Sequence, residues 1–255
     1  MAFEDGQWIM RGMRWDDPYR IRSAQELVNW IKEVGFLPLF ANEIEGFSAE
    51  EHVSADFWWT GDREQDPWEW REIIAAGHQV AYGKFFDQKA GFISPEWLPV
   101  FANYRRIGYD FDSRWEDGLA TRREKKIMDL LTGRDEDGEM TFPDKRILST
   151  ELKKTAGFGK NGEKNYPGTV TGLQMQTYLV ITDFRRRVNK KGDEYGMPVS
   201  IMQPPEVIWG YETVTSAYSK KPEDSWQKIL DHIRELFPKA KEQDLMKLIG
   251  KAPKC

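Results

Sequence analysis

The sequence predicts an α+β chain, mostly α, built from winged helix-turn-helix modules with short β-hairpins. Three observations predict it. Most apolar residues recur at helical spacing behind recognisable caps. Two short stretches switch to extended patterning beside proline or turn residues. Residues 148–210 run helix, glycine-containing turn, longer helix and basic hairpin, which is the order of a winged helix-turn-helix.

The elements follow in chain order. In "SAQELVNWIKEVG", Ser23 and Glu26 are placed for a capping box, Leu27, Trp30, Ile31 and Val34 share a face, and Gly35 is the expected stop. "GFLPLF" predicts a short buried extended piece, because Pro38 lacks an N–H and fixes its φ. "SAEEHVSADFWW" predicts a second capped helix, with Ser48 and Glu51 as its box. "DPWEWREIIAAG" predicts a helix with Asp66 as N-cap, Pro67 at its first position and Gly77 as its stop. "VAYGKFFDQKAGFI" predicts a β-hairpin turning at Asp87-Gln88. "SPEWLPVFANYRR" and the longer "DSRWEDGLATRREKKIMDLL" predict two further helices, the second with Trp115, Leu119, Ile127, Leu130 and Leu131 on one side. "STELKKTAGFG" predicts a short helix ending at Gly157, and "DSWQKILDHIRELF" and "EQDLMKLIG" predict helices that close the chain.

The polar stretch 132–146, with two glycines and a proline, is the predicted boundary. It divides the chain into an N-terminal helical and hairpin domain (1–131), the linker itself, a winged helix domain (147–218) and C-terminal helices (219–255). Charge supports two different surfaces. Residues 1–100 carry 9 basic and 18 acidic side chains, and residues 101–255 carry 28 and 24, which gives balances of −9 and +4 within a net charge of −5.

Composition excludes several classes. Hydrophobic residues are 40% and charged residues 31% of 255, which is ordinary for a globular protein. No apolar run approaches the roughly 18 residues of a membrane span. The start "MAFEDGQW" is acidic where a signal peptide is basic and then apolar, so a cytoplasmic protein is expected. The single cysteine, Cys255, excludes a disulfide framework and a thiolate cluster, and His52, His78 and His232 lack metal-ligand spacing. No metal and no cofactor are expected.

Within 148–210 the helical period places Leu173, Val180, Ile181 and Phe184 on an apolar stripe. Thr171, Gln174, Tyr178 and Arg185 fall near the opposite face, where Thr171, Gln174 and Tyr178 are candidates to address base edges. Arg185, Arg186 and Arg187 would end the helix and contact phosphates, joined by Lys190 and Lys191 on a hairpin tip and supported by Lys160 and Lys164. The other reading is a solvated helix end and an ordinary hairpin tip. The pair Gln174 and Gln176 in "QMQ" is not a catalytic pair on a helix, since side chains two apart diverge by about 200°.

Two other constellations have a chemical and a structural reading. Trp58, Trp59, Trp68 and Trp70 among Asp62, Glu64, Asp66 and Glu69 could line an aromatic pocket for an extruded base or a cation, or simply pack two helices. Asp110 and Asp112 could share a water or a metal, or cap the next helix and pair with arginine. There is no phosphate-binding glycine loop and no nucleophile elbow.

"AQELVNWIKEVGFLPLF", "VAYGKFFDQKAGFISPEWLPVFANYRR" and the winged segment together resemble the AlkZ/YcaQ-type winged-helix DNA glycosylase family, above all its shorter bacterial AlkZ-related group, over roughly residues 20–250. The resemblance implies tandem winged helices and a double-stranded DNA partner. In the enzymes it also implies metal-free excision of alkylated or cross-linked bases. Their signature is a Gln-apolar-Gln or Gln-apolar-Asp triplet after a helix and a Gly-apolar pair, whose polar side chains hold the hydrolytic water. Here that frame is "GFLPLF", which puts Pro38 and Phe40 at the two polar positions and Leu37 and Leu39 beside them. None of these can take a proton. A DNA-binding protein without the family chemistry is therefore expected. The alternatives are a diverged glycosylase using Asp110 or Asp112, and a protein-interaction module on the same fold.

Overall fold

The computed structural model of the chain describes residues 2–4 and 7–253. Cys255 lies outside the described residues, as does part of the acidic start. Strands β1 (Ala2–Glu4) and β2 (Gln7–Ile9) pair antiparallel.

Helix α1 (Ala24–Val34) begins where Ser23 Oγ accepts the Glu26 N–H and ends at Gly35, whose φ is 85°. The Glu26 carboxylate reaches one residue further back than a capping box needs, to the Arg22 N–H. Gly35 has a second reason to be glycine: a Cβ there would meet the Trp97 ring at 2.5 Å. Strand β3 (Phe36–Pro38) follows, buried throughout.

The expected helix from Ser48 does not form. The Glu51 N–H donates to Ser48 Oγ as predicted, but the Glu51 carboxylate accepts the Ser48 hydroxyl and the Gly46 N–H, and only two short 3₁₀ turns result, Glu50–His52 and Ala55–Phe57. Two competitors divert the backbone. Val53 is extended, with Ser54 bridging to Met13, and the buried Glu50 carboxylate accepts the N–H groups of Arg11 and Ala41.

Helix α2 (Pro67–Gly77) is capped by Asp66 as expected and ends one residue past the predicted stop, at His78 in the left-handed region. Strands β4 (Ala81–Phe86) and β5 (Lys89–Ile93) form the expected hairpin. Asp87 and Gln88 both have positive φ, the geometry of the turn that matches strand twist. Helix α3 (Leu98–Arg106) follows. The single long helix expected from residue 112 is two, α4 (Phe111–Glu116) and α5 (Arg122–Leu131). Gly118, at φ 70°, breaks it, and Thr121 with Glu124 starts a new one through a complete capping box. The polar stretch 132–146 holds a small hairpin, β6 (Gly133–Arg134) and β7 (Met140–Thr141).

Beyond it come α6 (Ser149–Thr155) and α7 (Tyr166–Met175), then the long antiparallel pair β8 (Val180–Val188) and β9 (Glu194–Gln203). Here the expectation is corrected: residues 180–188 are strand, not helix. Thr177, a β-branched residue at φ 62°, ends the helical path, and Tyr178–Leu179–Val180 is a consecutive buried run, which suits a strand. Short helices α8 (Glu206–Trp209) and α9 (Tyr211–Thr215) precede α10 (Pro222–Leu236) and α11 (Glu242–Leu248).

The main sheet runs β3-β5-β4-β8-β9, all antiparallel, so it joins strands from both sides of the polar stretch. Two apolar clusters flank it. One gathers α1, β3–β5, α3, α10 and α11 through residues such as Ile31, Phe36, Phe86, Phe101 and Ile229. The other gathers α5, α6 and α7 through Ile127, Leu131, Leu152, Leu173 and Leu179. The fold class is thus mixed α and β, with helix in excess.

Candidate nucleic-acid interface

Five basic residues of the second half, Arg185, Arg186, Arg187, Lys190 and Lys191, are carried by the β8–β9 hairpin. Its proximal half is anchored: Val180 is opposite Gln203, and Thr182 Oγ1 donates to the buried Gln203 side chain at 2.6 Å. Its distal half, Arg185 to Met197, is exposed on both strands. The register shifts between Ile181 and Asp183 and again between Arg185 and Arg187. Such bulges add twist and re-aim side chains, which lets three consecutive arginines share the exposed blade despite strand alternation.

Each arginine is steadied locally. Arg185 Nε pairs with Asp183 at 2.9 Å, Arg186 donates to the Gly196 carbonyl at 3.2 Å, and the Arg187 guanidinium lies 5.0 Å from the Tyr195 ring centre. At the tip Asn189 Oδ1 accepts the N–H groups of Lys191 and Asp193, and Gly192 takes φ 91°. Lys190 and Lys191 make no ion pair among the described residues. From Arg185 to Met197 five basic residues face two acidic ones. Arginines at a helix end would owe part of their placement to the helix dipole; on a strand that argument lapses and the sheet positions them.

The structure places Thr171, Gln174 and Tyr178 elsewhere. They are 7%, 2% and 2% exposed: Thr171 and Gln174 lie on α7, which packs against β4, and Tyr178 packs against Phe111 and Arg106. Gln174 Oε1 accepts the Lys84 N–H at 3.0 Å and its Nε2 donates to the Val170 carbonyl, while Gln88 N–H points at Met175 sulfur. Tyr178 donates to the Tyr109 carbonyl at 3.0 Å. Side chains held this way cannot present themselves to base edges, so the base-facing assignment is corrected to packing. Gln176 turns away from Gln174 to donate to Glu124, so the two glutamines do not converge.

Lys160 and Lys164 sit on the exposed α6–α7 turn, where Lys164 Nζ donates to the Gly159 and Lys160 carbonyls. Arg123 donates to the Lys164 carbonyl, and Lys126 pairs with Glu163 at 2.8 Å. That hydrogen bond, opposed by partial burial and helped by Arg122 and Arg123, holds Glu163 below the usual carboxylate range. The α5 start is therefore part of this basic turn, a placement that the run "RREKK" alone does not disclose. No hydrogen bond or ion pair joins this turn to the hairpin among the described residues.

Asp110 and Asp112 line one open cleft of about 740 Å³ with Trp115, Phe142 and Tyr211, yet both carboxylates are engaged. Asp110 caps α4 by accepting the Ser113 N–H, and Asp112 binds Arg134 through both oxygens. The tryptophan segment is mainly packing. Trp58 and Trp70 are buried, Phe40 lies 5.7 Å from Trp58 and 6.4 Å from Trp68, and Arg71 stacks 3.8 Å above Trp68. Asp66 knots the loop, accepting the N–H groups of Trp59, Gly61 and Trp68. "GFLPLF" follows α1, with Phe36, Leu37 and Leu39 fully buried. The histidines bond to backbone carbonyls of Gly46, Thr182 and Val34. Among the described residues no group of His, Cys, Asp and Glu side chains could hold a metal, and no helix is long and apolar enough to cross a membrane.

A mixed α/β chain with one main antiparallel sheet and a projecting basic hairpin is thereby defined. By its sequence the chain belongs to the AlkZ-related family, whose model matches residues 21–250. Neither the curated proteins nor the solved structures hold a match to it.

Proposed function

We propose that this AlkZ-related protein is a cytoplasmic double-stranded DNA-binding protein that grips the phosphate backbone with its β8–β9 hairpin and lacks the base-excision chemistry of the related glycosylases. The observation that carries the reading is the hairpin itself. Its distal half offers Arg185, Arg186, Arg187, Lys190 and Lys191 on an exposed blade whose root is fixed in the sheet. Backbone phosphates are recognised by such clusters through charge and counterion release, without base contacts.

The element order supports a winged helix. Helix α5, a bridge from Leu148 to Ile201, α6, α7, β8 and β9 follow one another as helix, strand, helix, helix and two-stranded wing. In this version the second helix of the pair is covered by β4–β5, so the wing carries the contact. The Lys160–Lys164 turn with Arg123 supplies a supporting phosphate site. At the frame corresponding to the glycosylase triplet, Pro38 and Phe40 offer no acceptor for a water. Asp110 and Asp112, committed to a helix cap and an ion pair, are poor substitutes.

The test is a duplex-binding titration at several salt concentrations with Arg185, Arg186 and Arg187 all changed to alanine. Binding should weaken equally for unrelated sequences, and the salt slope should flatten by about 0.9 for every phosphate no longer neutralised. Unchanged affinity and slope reject the reading. Release of bases from alkylated DNA by the parent protein rejects its second half.

A further inference from the structure

A second basic feature lies in the acidic half of the chain, beside α2. An open groove of about 690 Å³ runs between the start of α1 and the outer side of α2, floored by Val28 and Ile74. Its walls carry Arg20, Arg22 and Arg63 against one carboxylate, Glu64, among the described residues. The first hundred residues hold twice as many acids as bases, so a wall of three arginines there is not a sample of the local composition.

Arg20 and Arg22 are positioned by backbone carbonyls, without an ion pair among the described residues. Arg20 Nε donates to the Trp15 carbonyl at 2.6 Å and its guanidinium lies 5.4 Å from the Phe57 ring centre. Arg22 donates to the Asp17 carbonyl at 3.1 Å, while the Asp17 carboxylate is turned to the Tyr19 N–H. Arg63 makes no hydrogen bond or ion pair among the described residues. Backbone carbonyls orient a guanidinium but leave its full charge for a ligand, and its flat fork fits two phosphate oxygens at once.

One hydrogen bond links the end of the groove to the strand that bears the hairpin. Gly77 and Gln79 close one end of it, and His78 between them bonds through Nε2 to the Thr182 carbonyl of β8 at 3.0 Å. On α2, Glu72 is raised by burial and by Glu69 while Arg71, Arg63 and Arg186 all pull it down, so a groove arginine and a hairpin arginine act on one carboxylate.

We infer that the α1–α2 groove is a second phosphodiester-binding site, in which Arg20, Arg22 and Arg63 hold the backbone of the same duplex that the β8–β9 hairpin grips. The site rests on the DNA-binding reading for its ligand but on different residues for its evidence. It adds a footprint: a duplex long enough to reach both places is held at two points, and a shorter one at a single point.

The experiment uses the full chain with labelled duplexes of about one and about three helical turns, titrated over a range of salt. Arg22→Gln with Arg63→Gln should lower the salt slope on the longer duplex by about 1.8, from about 0.9 for each phosphate released, and leave the shorter duplex unaffected. The triple hairpin change should weaken both. A groove variant with the parent slope on the longer duplex, beside a hairpin variant that loses binding, overturns the groove and leaves the hairpin reading intact. Loss in the groove variant alone keeps the groove and removes the hairpin. Absence of duplex binding by the parent protein overturns both. Inorganic pyrophosphate serves as the second probe. If it raises the melting temperature of the parent but not of the variant while duplex slopes are equal, the groove holds free phosphoryl anions and the inference is overturned. Arg63→Gln alone breaks no internal bond, so the comparison survives if the double variant folds poorly.

Discussion

Arg106 Nη1 donates to Glu206 Oε1 at 2.5 Å in the interior, with the two side chains 1% and 3% exposed. The same guanidinium donates to the Thr177 carbonyl at 2.7 Å and lies 4.5 Å from the Tyr178 ring centre. One charge thus ties α3 to the end of α7 and the start of α8. Burial opposes that charge, but Glu206, Tyr218 and Tyr178 together raise Arg106 above the ordinary arginine range.

Glu206→Ala should therefore be costly. Removing one member of a buried pair leaves the other uncompensated, a loss of about 3–5 kcal/mol. Urea unfolding would measure it, and a loss within about 0.5 kcal/mol, as at ordinary surface positions, contradicts the assignment.

Gln174→Ala separates a packing role from a base-reading one. The change removes the acceptor of the Lys84 N–H, a part-buried bond, at a cost of about 1 kcal/mol. Duplex affinity at fixed salt should match that of the parent protein, provided the comparison is made well below the melting temperature. A large affinity loss with unchanged stability would restore Gln174 to the interface.

Tyr82 predicts an alkaline limit. Burial pushes its phenol up to about 12. Since the folded value lies above the unfolded one near 10, the fold binds the proton more tightly, and that stability is complete below about pH 10 and lost as pH rises toward 12. The loss is roughly 2–3 kcal/mol at most. Tyr82→Phe should shed less stability than the parent protein across that window. Parallel curves would show that Tyr82 does not titrate there.

Asp66 is the remaining fixed point of the tryptophan loop. Asp66→Ala strips three backbone N–H groups of their acceptor, including the α2 cap. Loss of such a cap costs about 0.5–2 kcal/mol, and the other two donors add to it. The emission of Trp59, 43% exposed and in the left-handed region, should change in step. An unaltered spectrum and melting curve would mean that the loop is held by its rings alone.

Local chemistry makes much of this fold legible. Ser23, Asp66 and Pro67 announce their helices, and Asp87-Gln88 announces its turn, because each acts within a few residues of itself. The failures have a common cause in distant partners. The α7–β8 boundary is hidden since Leu173, Val180, Ile181 and Phe184 fit a helical stripe, and only pairing with Tyr82 and Met202 selects the strand. Gln174 reads as a surface residue because its partner, Lys84, is ninety positions away. The hairpin charges are readable from composition, as exposed ions need no tertiary context. The groove is not, since Arg22 and Arg63 come together only after α1 and α2 pack.

The order of the central sheet has a practical bearing on how this molecule can be handled. Strand β4 has β5 on one flank and β8 on the other, with Tyr82 opposite Ile181. Severing the chain in the stretch around Gly138 would strip β4 of that neighbour at Tyr82 and of the Gln174 acceptor at Lys84, baring a strand edge beside the buried Phe85 and Phe86, an invitation to self-association. Fragments ending there should precipitate on expression, whereas the intact polypeptide keeps that border closed.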